Sequence, residues 1–307
     1  MMPPLLEVSE LYKAFQGRTS VNGISFSMEQ GRCVALLGPN GAGKTTTLRM
    51  LAGLLNPGRG TILFDGKPIG QDYRRQIGYL PQSPAFYNWM TGEEYLIFAS
   101  RISGMGRKEA AGRAAAMLER MGLAEAAKRR IGGYSGGMKQ RLGLAQALVH
   151  APRLLLLDEP VSALDPIGRR EIMELLREIG RETSVLFSTH VLHDAEEVCD
   201  DIILMNHGVI AEQGTLNSLR AKYNRPVIAL RVEQREEALQ WLETLNTRSY
   251  ILESRSEGEG SIFLKVKDME AARSAILREA AERGIPVARF EAGSLSLEDV
   301  FMEAVGE

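Results

Sequence analysis

Cysteine is scarce in this chain: Cys33 and Cys199 are the two examples among 307 residues. Neither belongs to a C-x-x-C pair, so metal and redox chemistry have little support and a reducing compartment fits. Cys33 falls in a short apolar run and reads as a plain core thiol. Long apolar runs are missing too. None approaches the roughly 20 residues needed to cross a bilayer. The first ten residues lack a basic segment followed by an apolar one, so no secretory signal is read. The chain is therefore expected to be cytosolic by itself, and a membrane role would require a separate membrane chain. Neither sign of charge dominates: 37 Lys and Arg stand against 39 Asp and Glu, a net charge of -2. Bulk charge thus gives no reason to expect nucleic-acid binding. Internal repeats and heptad arrays are absent as well.

What is present is a globular composition, 44% apolar, at a length that suits one large or two ordinary domains. Leu5–Val8 and Ile24–Met28 read as strands. Cys33–Leu37, Leu154–Leu157, Val185–Ser188 and Ile202–Met205 are continuous apolar runs of strand length, the pattern of a sheet covered on both faces. Helical segments alternate with them, which implies a parallel sheet with crossover helices. Gly60–Phe64, Asp65-Gly66 and Lys67–Ile69 read as a hairpin around an Asp-Gly turn. Between about 84 and 150 the spacing turns helical, over Glu93–Ile102, Arg107–Met121 and a helix opening near Ser135. In that last helix Met138, Leu142, Ala145 and Val149 predict one apolar face. A polar stretch at 221–226 predicts a linker. Beyond it the order β-α-β-β-α-β fits a small ferredoxin-like domain over 227–307.

Gly38-Pro39-Asn40-Gly41-Ala42-Gly43-Lys44-Thr45 matches G-x-x-x-x-G-K-[ST] in full, after a strand and opening a helix. Its glycines let backbone N–H groups turn onto phosphate oxygens, and the helix N-terminus adds positive partial charge. Lys44 is expected on the outer phosphates and the Thr45 hydroxyl on Mg²⁺. Asp158 closes the Leu154–Leu157 strand, where ligands of open α/β sheets bind, and a carboxylate there can hold the Mg²⁺ shell. Ser135-Gly136-Gly137 reads as a second helix N-terminus shaped to grip phosphate. Two such devices in one chain suggest that each completes a site on a second copy.

Together these residues resemble the ATP-binding subunit of an ABC transporter, over about residues 5 to 220. The resemblance implies an α/β P-loop cassette of parallel core, antiparallel β subdomain and helical subdomain (about 84–150) within residues 1–220. It further implies ATP and Mg²⁺, and a head-to-tail dimer, homo- or heteromeric, with nucleotide sandwiched between subunits. By resemblance Thr46 contacts the α-phosphate, Glu159 orients the attacking water, and Gln82 touches metal and water. His190 contacts the γ-phosphate, and Asp165 crosses the dimer interface. Phe15 aligns with the aromatic that stacks on adenine, with Tyr12 as its rival. Two positions depart from the commonest signature: Tyr134 stands for leucine and Met138 for glutamine. Ser162-Ala163-Leu164-Asp165-Pro166 and the terminal Ser296–Phe301 segment point to cassettes that serve separately encoded ABC-2-type permeases, often exporters. This places the chain peripherally on the cytoplasmic face of the membrane. The rival expectation is a soluble ABC-type regulatory ATPase acting on ribosome or nucleic acid. A binding-only subunit is disfavoured by Glu159, His190 and the intact Ser-Gly-Gly.

Overall fold

The computed structural model describes residues 3–162, 164–223, 226–256 and 258–294. Ala163 and the Ser296–Phe301 segment, both used above, lie outside the described residues. Two compact units are present, one reaching Leu216 and one beginning at Asn217.

The first unit opens with an antiparallel sheet. β1 (Leu6–Phe15) and β2 (Arg18–Met28) are longer than their apolar cores predict. β4 (Arg59–Phe64) and β5 (Lys67–Pro68) complete it in the order β2-β1-β4-β5. The turn at Asp65-Gly66 has positive φ at both residues, 55° and 73°, as a tight hairpin of this kind requires.

The second sheet is the scaffold of the site. Its order is β10-β9-β3-β8-β7-β6. β3 (Cys33–Leu37), β7 (Leu154–Asp158) and β8 (Ser184–Thr189) are buried at every residue. They lie parallel to one another, to β6 (Ile77–Leu80) and to β9 (Asp201–Asn206). Only β10 (Val209–Thr215) runs antiparallel, at the edge. The continuous apolar runs of the sequence are thus interior parallel strands. α1 (Lys44–Leu51) follows β3, and side chains of both sheets and of α1 share one core that includes Leu6, Ile24, Leu36, Leu48, Ile62 and Leu156. The two cysteines meet in this unit: their sulfurs lie 3.7 Å apart, both buried, and burial pushes the Cys199 thiol up.

α2 (Gly92–Ile102), α3 (Arg107–Arg120) and α4 (Gly136–Leu148) form the helical part. Thr91 and Glu94 cap α2 reciprocally, a capping box that fixes its start. α4 differs from the one-faced helix predicted. Leu142, Gly143, Leu144 and Ala145 are all buried, so the helix is covered on most sides. α5 (Pro166–Gly180) and α6 (Leu192–Val198) complete the alternation.

In the second unit α7 (Leu216–Tyr223) reaches into the stretch read as a linker, and β11 (Pro226–Val232) begins at its proline. α8 (Glu236–Leu245), β12 (Ile251–Ser256), β13 (Ser261–Val266), α9 (Met269–Glu282) and β14 (Val287–Ser294) follow. The antiparallel sheet runs β12-β13-β11-β14, the order of the ferredoxin-like fold expected. Ile228, Leu230, Trp241, Leu264 and Ile276 belong to its separate core.

Candidate functional site

The carboxyl ends of β3, β7 and β8 and the loop after β6 bring the candidate residues together. The loop from Gly38 to Gly43 turns the chain from β3 into α1. Two of its glycines have no substitute in this packing. A Cβ on Gly38 would lie 2.2 Å from the Met205 carbonyl oxygen, and one on Gly43 would lie 2.4 Å from that of Ser20. Gly43 also sits at φ 101°, a region that side chains avoid. The amides of Gly41, Gly43, Lys44, Thr45 and Thr46 have no backbone acceptor among the described residues, whereas Ala42 N–H donates to Pro39. Unpaired donors at a helix N-terminus form a cradle for an anion.

Lys44 is 5% exposed. Its ammonium donates to the carbonyls of Gly38 and Pro39, at 2.7 and 3.1 Å, and lies 3.7 Å from Glu159 Oε1. Burial lowers its pKa from the usual lysine value, partly opposed by the charges of Glu159 and Asp158. The Thr45 hydroxyl donates to Asp158 Oδ1 at 3.0 Å. Hydroxyl and carboxylate are the hard oxygen donors that Mg²⁺ selects, so the pair fits that ion. The Thr46 hydroxyl is 2.8 Å from that of Ser20.

Glu159 follows β7 with φ 47°, in the left-handed region. For a residue with a side chain that costs about 1–2 kcal/mol. The turn swings its carboxylate away from that of Asp158 into a group of three partners. Gln82 Nε2 donates to Oε2 at 3.1 Å, His190 Nδ1 lies 3.3 Å from Oε1, and Lys44 is the third. Gln82 comes from the loop after β6, His190 from the end of β8 and Lys44 from α1. Sequence separations of 31 to 115 residues converge on one buried carboxylate.

Ser135 caps α4, its hydroxyl accepting from Met138 N–H at 3.3 Å. Asp165 caps α5 in the same way, accepting from Gly168 N–H, with Pro166 in the first turn. The two helix starts line one groove with Leu164 and Arg141, about 600 Å³ in volume. Tyr134, the first departure from the common signature, is buried and donates its hydroxyl to Ala126 O at 2.7 Å. Of the two aromatics, Tyr12 has its ring covered by the Arg59 guanidinium at 4.5 Å, whereas Phe15 is 46% exposed.

Three contributors are not found by sequence reasoning. Ser188, fully buried, donates to Asp158 Oδ1 at 2.8 Å and accepts from Glu159 N–H at 2.9 Å. Its one signal is a hydroxyl at the end of a buried run, in register with Asp158. Gln140, also buried, donates to Pro160 O at 2.7 Å and so ties α4 to the residue after Glu159. Asp194, 1% exposed, accepts from Thr189 at 3.1 Å and from Arg169 at 2.6 and 2.9 Å, bracing the segment around His190. Neither Gln140 nor Asp194 is marked by spacing.

Comparison with known proteins bears on these residues. The family described as "ABC transporter" matches residues 21–162, and "ATP-binding protein DrrA1-3-like, C-terminal domain" matches 214–305. An uncharacterized ABC transporter ATP-binding protein, YxlF of Bacillus subtilis (strain 168), is 48% identical over 98% of this chain and 99% of its own. The daunorubicin/doxorubicin resistance ATP-binding protein DrrA of Streptomyces peucetius is 32% identical over 98% of this chain and 92% of its own. A solved ATP-binding cassette, in a dimeric post-hydrolysis state bound to ADP and Pi, superposes with a TM-score of 0.63 at 24% identity. That match covers 69% of this chain and 98% of the other.

Proposed function

The chain belongs to the ABC transporter ATP-binding proteins, a family of ATPases, and on that premise we propose that it powers a separately encoded membrane permease, in the direction of export. The observation that carries this reading is the Glu159 carboxylate, buried yet met by Lys44, Gln82 and His190 from three separate segments.

In this reading the free amides from Gly41 to Thr46 and the Lys44 ammonium hold the phosphates of ATP. Thr45 and Asp158 would hold Mg²⁺, which supplies charge neutralisation on the phosphate oxygens. Glu159 orients a water for attack on the terminal phosphorus and accepts its proton. Gln82 fixes one carboxylate oxygen, and His190 lies against the other. Phosphoryl transfer asks little covalent chemistry of the protein, so positioning and charge supply most of the acceleration. Phe15 offers a face for the adenine.

The second half of the site is proposed to come from another subunit. A Cβ on Gly136 would meet nothing within 4 Å, and one on Gly137 only Leu164 at 4.0 Å. Among the described residues nothing demands small side chains there. A phosphate approaching from a partner does, with Ser135 and the α4 N-terminus facing it. Asp165 stands beside them at the same groove. The solved cassette described above is itself dimeric, with ADP and Pi bound.

Coupling to the permease is assigned to the segment between Gln82 and α2. Tyr87 and Trp89 are exposed there, as are Phe98 and Ile102 on α2 itself, with Tyr87 in ring contact with Trp89, Tyr95 and Phe98. Such a patch suits an apolar segment of a membrane protein's cytoplasmic loop. No described helix is long and apolar enough to cross a membrane; in this reading the chain works peripherally, on the cytoplasmic face, through its permease. A relative named for drug resistance favours export over uptake.

The test is Glu159→Gln. ATP binding should persist, turnover should fall by about 10²-fold or more, and an ATP-bound dimer should accumulate on size exclusion. Normal turnover would refute the assigned role. Co-purification from detergent-solubilised membranes should bring down a polytopic partner. ATPase stimulation by nucleic acid instead of membrane extract would overturn the transport reading.

A further inference from the structure

On the side of the first unit where β3, β7 and β8 begin, a pocket of about 370 Å³ lies between α3 and the α5–β8 turn. Among the described residues, four arginines line it against a single carboxylate, Glu182. They come from separate places: Arg113 and Arg120 from α3, Arg153 from the approach to β7, and Arg181 from the end of α5. Two of them are already neutralised. Arg120 pairs with Glu182 at 2.9 Å, and Arg153 pairs with Asp65 at 2.8 Å. The other two are not. Arg113 donates its Nε to the Val149 carbonyl at 2.9 Å and has no carboxylate partner among the described residues. Arg181 is exposed, and its guanidinium has no ion pair or hydrogen bond among them either. Thr183, half-buried, lines the same pocket wall.

Gathering like charges around a concavity is unfavourable unless an anion repays it. Guanidinium groups from two sides match the bidentate geometry of a phosphate. We propose that this pocket binds a small phosphate-bearing anion carrying at least two negative charges, held between Arg113 and Arg181. The pocket is lined apart from Lys44, Glu159 and the other residues of the nucleotide site, so the ligand is additional to ATP. Because α3 supplies one guanidinium and the α5–β8 turn the other, the bound anion bridges the helical part to the sheet. It therefore bears on the same subdomain that the transport reading assigns to coupling, but its binding does not depend on that reading.

The experiment uses the full chain, with the nucleotide site first saturated by a non-hydrolysable ATP analogue and Mg²⁺ in excess. Pyrophosphate is then titrated by calorimetry at low and at physiological salt. One further binding event is expected, weakened about tenfold or more by Arg181→Met and again by Arg113→Lys. The same event should be retained in Lys44→Ala titrated without the analogue. Arg181→Met alters an exposed side chain, so folding is not at issue. No heat from the parent chain, or heat equally strong in both arginine variants, would overturn the proposal. So would heat that vanishes at physiological salt, which marks diffuse screening only. A change in ATPase rate with pyrophosphate that persists in Arg181→Met would assign the effect to the nucleotide site instead.

Discussion

Ser188→Ala removes one oxygen atom and should reveal how the site is held. That oxygen does two things at once. It donates to Asp158 Oδ1 at 2.8 Å, and it accepts from the amide of Glu159 at 2.9 Å. The side chain is completely buried, so water cannot replace it. Losing a hydrogen bond to a charged group costs about 1.5–3 kcal/mol, and leaving a buried donor unsatisfied costs about 1–3 kcal/mol. The two losses share one atom and partly overlap, so a destabilisation of about 2–4 kcal/mol is expected. Activity should suffer more than binding. The amide concerned belongs to a residue held at φ 47°, and with its restraint gone Glu159 can relax toward an ordinary conformation. That relaxation swings the carboxylate away from Gln82 and His190. The cradle of amides is untouched, so ATP affinity should change little. Urea unfolding gives the first quantity, and steady-state ATPase kinetics split kcat from KM. A variant within about 0.5 kcal/mol of the parent, the ordinary range of a surface substitution, with kcat unchanged, would mean that Ser188 does not hold Asp158 and Glu159 in place.

Lys44 sets a pH dependence whose sign can be worked out. Burial lowers its pKa, so the folded chain disfavours the charged form; the stability lost to burying that charge is recovered as pH rises through the lowered value. A triphosphate prefers the protonated form. ATP affinity should therefore be full below the lowered pKa and fall as pH rises through it, and titration calorimetry in two buffers should record proton uptake on binding in that range. Gly43→Ala forces a Cβ to 2.4 Å from Ser20 O at φ 101°, so a loss of about 2 kcal/mol or more together with loss of ATP binding is expected in thermal melts with and without nucleotide. Gln140→Leu strands the Pro160 carbonyl at a cost of about 1–3 kcal/mol, and turnover should drop while nucleotide affinity, read by fluorescence, stays near that of the parent.

Residues whose chemistry depends on local spacing are legible in the amino-acid order alone. The loop from Gly38 to Thr45 is such a case, because a strand, a turn and a helix start are contiguous in the chain. The apolar runs of β3, β7 and β8 announce a covered sheet for the same reason. What stays hidden comes from pairings across the fold. Ser188 matters because β8 lies beside β7 in one register, and Gln140 because α4 passes close to the turn after Glu159. The one-faced reading of α4 fails likewise: Gly143 and Leu144 are polar-side positions by periodicity alone, yet Leu80 and Pro84 come close to Gly143. The nearness of Cys33 to Cys199 is a consequence of β3 lying beside β9.

β7 carries four leucines in a row, buried on both faces. Such a strand has no inside and outside to tell apart, so its side chains cannot say how far along its neighbours it belongs. A slip by one residue would leave the greasy contacts nearly as good and ruin everything downstream. The alignment must come from its two ends. At the start, the Arg153 and Leu154 amides both dock on the Gln76 carbonyl, and the Arg153 side chain is anchored at Asp65. At the finish, Asp158 is fastened to Ser188 and Thr45. The polar groups at the far end thus act as page markers for the strand, and the same clasp that serves nucleotide chemistry also tells the folding chain where to stop.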